Sequence, residues 1–62
     1  MNEYTYEIWT QYRDGKSPWE FDGTYAVVAK DCIEAMKDAD KMAYNGVLKE
    51  SFRYQVRNLR KL

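Results

Sequence analysis

Residues 52–62, FRYQVRNLRKL, carry Arg53, Arg57, Arg60 and Lys61 with no acidic side chain among them. Two chemistries use such a set. With Trp9 as a platform for a stacked base, the cations would hold the phosphates of a nucleic acid. Trp9 with the arginines is equally the kind of group that anchors a protein partner or a second subunit. A plainer reading sets Arg53 and Arg57 against the carboxylates of Glu3 and Glu7 on a neighbouring strand, where exposed pairs contribute only about 0.2–1 kcal/mol each.

Charge is divided along the chain. Residues 1–48 hold five basic and nine acidic side chains, a balance of −4, and residues 49–62 hold five basic against Glu50, a balance of +4. The sum is zero. That balance argues against a dedicated DNA binder, whose affinity comes mostly from neutralising phosphate.

Other chemistry has no foothold in the sequence. There is no histidine, one cysteine, and no glycine-rich phosphate loop or nucleophile elbow. Neither a metal site nor a disulfide within the chain is expected, and no cofactor or small-molecule substrate is implied. Cys32 opens a predicted helix, where the backbone dipole favours a thiolate, but it has no base beside it. It is expected to be a small, mostly buried packing residue. The chain is therefore read as non-enzymatic.

The elements that must position these groups follow from periodicity. Tyr4 to Tyr12 alternates with a period of two and is rich in aromatic and β-branched residues, which predicts a strand. "RDGKSP" supplies the turn. Trp19 to Ala29 predicts a second strand with Trp19, Phe21, Tyr25 and Val27 on one side and Glu20, Asp22 and Thr24 on the other. Gly23 interrupts it as a bulge or kink.

At Asp31 the period changes to three and four. Asp31 is the expected N-cap and Glu34 its capping-box partner, with Cys32, Ala35, Met36, Ala39, Met42 and Ala43 on one stripe. Asn45-Gly46 is expected to end the helix as a left-handed cap, with Val47 as its apolar clasp. Phe52, Tyr54 and Val56 then alternate with Arg53, Gln55 and Arg57 in a third strand of about six or seven residues.

A right-handed crossover predicts a single ββαβ domain over residues 1–62: a three-stranded antiparallel sheet of order 2-1-3, α+β in class, with one helix packed on one face. The covered face is expected to hold Tyr6, Ile8, Phe21, Tyr25, Val27, Phe52, Tyr54 and Val56. Glu7, Trp9, Gln11, Glu20, Asp22, Thr24, Arg53, Gln55 and Arg57 are expected on the open one. Trp9 should be covered by a partner, by the hairpin loop, or by Leu59 and Leu62.

Sixty-two residues give a thin core, which makes self-association a live route to stability. No apolar run is long enough to cross a bilayer and the start does not resemble a secretion signal, so a cytoplasmic protein is expected.

The run YAVVAKDCIEAMKDADKMAYNGVL, residues 25–48, resembles the DpnD/PcfM-like proteins of phages and mobile elements. In these a strand ending in Val-x-Ala passes through an Asp or Ser cap into a Glu-Ala helix with an Asn-Gly-type stop. The long hairpin with "SPWEF" departs from the short one of that group. The resemblance implies a bacterial, phage or conjugative-element origin and assigns no functional residue. The combined expectation is an accessory or modulatory module that binds another protein, or a second copy of itself, as an inhibitor of a host complex would. Its surface is Trp9, Arg53, Arg57, Arg60 and Lys61; the alternative is a small nucleic-acid-binding module using the same face.

Overall fold

The computed structural model describes residues 1–47 and 49–62; Leu48, which ends the 25–48 run, lies outside the described residues. The elements are β1 (Asn2–Tyr12), β2 (Glu20–Ala29), α1 (Cys32–Gly46) and β3 (Phe52–Lys61). They form one antiparallel sheet of order β2-β1-β3, as the crossover rule predicts. β3 is longer than expected, at 10 residues. Among the described residues no helix is long and apolar enough to cross a membrane.

The hairpin between β1 and β2 is built by Asp14 and Gly15. Asp14 Oδ1 accepts the backbone N–H groups of Lys16 (2.9 Å) and Ser17 (3.1 Å), and its other oxygen accepts the Ser17 hydroxyl. Gly15 takes φ +73°, a left-handed conformation that costs a residue with a Cβ about 1 kcal/mol.

α1 starts where Asp31, extended at φ −152°, accepts the Glu34 N–H at 2.8 Å. Glu34 reaches back to the Lys30 N–H at 3.4 Å, one residue further than a capping box requires. Asp31→Ala should lower stability by about 1 kcal/mol, read as a shift in urea midpoint, because one orphan donor of the first turn loses its acceptor. An unchanged midpoint would show that the cap contributes nothing.

The expected left-handed stop does not form. α1 runs on through Gly46, and Val47 caps it in an extended conformation with its N–H on the Ala43 carbonyl at 3.1 Å. Lys49 does part of the work expected of the glycine: its ammonium donates to the Tyr44 carbonyl at 2.7 Å and lies 4.0 Å from the Tyr44 ring.

The core is small and built on alanine. Ala35, Ala39 and Ala43 are buried at intervals of four and rest on Tyr4, Tyr6, Ile8 and Ala29, with Val27, Tyr54, Val56 and Leu59 packed around them. Tyr6 is only 1 % exposed, stacks on Tyr25 at 5.8 Å and points its hydroxyl at the Met42 sulfur. Cys32, expected to be buried, is exposed, because the packed stripe begins one turn later at Ala35.

Two bulges decide which side chains share a face. In β2 the register steps from Ile8↔Gly23 to Trp9↔Phe21, so Asp22 is the extra residue. A Cβ on Gly23 would meet the Tyr25 hydroxyl at 3.1 Å, so the glycine makes room for that ring. In β3 the register steps from Glu7↔Arg57 to Thr5↔Arg60, and Asn58 takes a left-handed φ of 55°. Asparagine tolerates that region better than most residues with a Cβ.

Candidate functional site

The first bulge reverses part of the expected facing. Residues after it keep their predicted sides: Tyr25 opposes Tyr6 under the helix and Thr24 opposes Glu7 on the open face. Before it the parity is inverted. Phe21 opposes Trp9 on the open face, and Trp19 lies there as well, near Arg53 and Arg57. Glu20 opposes Thr10, and Asp22 turns toward Tyr25 and Met42 beside the helix. The open face thus exchanges two carboxylates for two aromatic rings.

The open face is graded from edge to edge. β2 contributes Phe21 and Thr24, with Trp19 just before it; β1 contributes Gln11, Trp9 and Glu7; β3 contributes Arg53, Gln55 and Arg57. Phe21 meets Trp9 edge-on at 5.6 Å. The Arg57 guanidinium lies 4.6 Å from the Trp9 ring and 5.5 Å from Trp19, and Arg53 lies 5.6 Å from Trp19. These are cation–π distances.

The expected pairing of Arg53 and Arg57 with carboxylates gives way to bonds with neutral amides. Arg53 donates to the Gln11 side chain, which is buried and in turn donates to the Ser17 carbonyl at 2.8 Å. Arg57 Nε donates to Gln55 Oε1 at 2.9 Å. Glu7 is engaged elsewhere: its Oε1 accepts Trp9 Nε1–H at 2.9 Å and Asn58 Nδ2–H at 2.8 Å. The guanidinium groups are therefore held in place by groups that leave their charge intact.

Those bonds hold the Glu7 carboxyl below its ordinary value of 4.5; Trp9 contributes most, then Asn58, with Arg60 and Arg57 adding attraction. A carboxyl depressed by folding stabilises the fold above its unfolded value, and that contribution is lost as pH falls through the folded value. Stability should fall as pH is lowered through the acid range below 4.5, and less steeply in Glu7→Gln. Parallel urea midpoints of the two proteins across that range would contradict the assignment.

Of the residues nominated from sequence, Trp9, Arg53, Arg57 and Arg60 share the open face, Arg60 opposite Thr5. Lys61 does not join them. It opposes Tyr4, whose side chain is in the core, and so leaves on the helix side. Leu59 also turns into the core; Trp9 is half-covered by Arg57 and Phe21. Sequence reasoning missed Trp19 and Phe21 as members of this surface. Gly23 was the signal: counting parity across a bulge sends every residue beyond it to the wrong side.

Apart from a more open hollow at the start of α1, a concavity of about 100 Å³ lies between α1 and β2, lined by Tyr6, Tyr25, Met42 and Val47. It has room for a single side chain and falls well short of a substrate cleft. No group of His, Cys, Asp and Glu suited to a metal ion occurs among the described residues.

No family model, curated protein or solved structure matches this chain.

Proposed function

We propose that the protein is a non-catalytic module that binds another protein through its open sheet face, acting in the cytoplasm as a small accessory or modulatory factor. One observation carries the reading. Trp9, Trp19, Arg53 and Arg57 form a cation–π cluster on a face that no described element covers, and its guanidinium groups are fixed by amides. Trp and Arg dominate the energetics of protein interfaces, and side chains already held in place lose little entropy on binding. The resemblance of residues 25–48 to DpnD/PcfM-like proteins implies a bacterial, phage or mobile-element origin, and restraint of a host complex is a role that would suit such a module.

A second reading, binding of single-stranded nucleic acid, gains from the turning away of Glu20 and Asp22 and from the arrival of Trp19 and Phe21. It is the weaker one. The Trp9 ring is already attended by Arg57 and Phe21, which leaves less surface for a base, and net charge is zero.

Affinity capture from a bacterial lysate with the wild type, Trp9→Ala and Arg57→Ala tests the first reading. A partner retained by the wild type and lost by both folded variants supports it; retention by both overturns it. Salt-dependent binding of short DNA or RNA, weakened by Arg53→Ala and Arg57→Ala, would transfer the face to the second reading.

A further inference from the structure

Both outer strands of the sheet have an edge that no described strand pairs, and the two edges differ. β3 is guarded. Arg53, Arg57, Arg60 and Lys61 lie along it and Asn58 bulges it, the devices by which proteins keep an edge from adding strands.

β2 lacks such protection over Thr24–Ala29, the run TYAVVA, which has no charge, no proline and no bulge. Its two acids, Glu20 and Asp22, precede the stretch. Val28, on the open face, is 58 % exposed; Tyr25, on the helix side, is 43 % exposed, in part because α1 lies closer to β3 than to β2.

We propose that two copies of this chain pair antiparallel along Thr24–Ala29 of β2, forming one six-stranded sheet with both helices on the same side. Self-complementarity selects a second copy as the occupant. A two-fold axis normal to the sheet returns each strand against itself, so Thr24, Ala26 and Val28 meet only one another on the open face. Tyr25, Val27 and Ala29 do the same under the helices. No like charges come into opposition. The same operation at β3 would set arginines against arginines, which disfavours pairing there.

Dimerisation would also enlarge the apolar area of a domain whose buried core includes three alanines of the helix. The short pairing implies a reversible dimer rather than a permanent one.

Sedimentation velocity and light scattering from about 1 to 200 μM should show a mass rising from 7.4 kDa toward twice that value. Val28→Lys and Ala26→Lys should each stay monomeric with an unchanged circular dichroism spectrum. Arg57→Ala should dimerise like the wild type. A wild-type mass of 7.4 kDa at every concentration overturns the proposal. So does a dimer that survives Val28→Lys, or one that Arg57→Ala abolishes, which would move the contact to the open face. Hydrogen exchange on the unaltered protein is independent of how the variants fold: amides of Thr24–Ala29 should gain protection with concentration, and constant protection contradicts the pairing.

Discussion

Tyr6→Ala is expected to leave the chain largely unfolded at room temperature. Tyr6 is the largest fully buried side chain and sits at the centre of the sheet, between the Tyr25 ring and the alanine face of the helix. Truncating a buried aromatic residue costs about 3–5 kcal/mol, and a domain of this length has a total stability of roughly 3–9 kcal/mol. The substitution therefore removes a large share of what holds the fold. Tyr6→Phe separates packing from polarity, because it keeps the ring and gives up only the hydroxyl contact with the Met42 sulfur. It should stay folded and lose about 1 kcal/mol or less. Urea titrations followed by circular dichroism read both, and a Tyr6→Ala midpoint equal to that of the wild type would mean the core lies elsewhere.

The second large effect concerns the open face. Arg57→Ala should weaken binding of the captured partner by about 2 kcal/mol, roughly 30-fold, since Arg57 is the guanidinium shared by both indoles. Trp9→Ala should do similar damage by removing the ring beneath it. Arg57→Lys should not restore affinity. An ammonium keeps the charge and loses the planar group that stacks on Trp9 and donates through Nε to Gln55. Lys61→Ala, a change of the same sign on the opposite side of the sheet, should leave affinity near that of the wild type. Isothermal titration of the purified pair decides it. Equal losses for Lys61→Ala and Arg57→Ala would mean that diffuse positive charge, and not this array, drives association.

The fold was legible because its signals are local. Alternation from Tyr4, the Asp14-Gly15 turn, Asp31 with Glu34 three residues on, and alternation from Phe52 each mark an element. A crossover from β2 through the helix that lays β3 beside β1 then gives the observed order. The candidate site was legible only in part. Trp9, Arg53 and Arg57 lie where parity is counted within one uninterrupted strand; Trp19 and Phe21 lie beyond the bulge at Asp22, where the count inverts.

Lys61 fails for the same reason, being past the bulge at Asn58. Asn45-Gly46 misled differently: a propensity for left-handed backbone yields where the helix can continue and a lysine further on takes up a terminal carbonyl. The amides of Gln11 and Gln55, which decide that the arginines keep their charge, have no signature in a linear pattern. Their role depends on which groups lie across the sheet.

The alanine ladder of α1 acts as a steric ruler. Three methyl groups, one per turn, set the separation between helix and sheet, and no bulky knob locks the helix along its axis. Saturation mutagenesis should therefore find positions 35, 39 and 43 intolerant of anything larger than serine, whereas neighbouring Met36, which is exposed, accepts wide replacement. Size at those rungs, more than greasiness, governs whether the two layers can close.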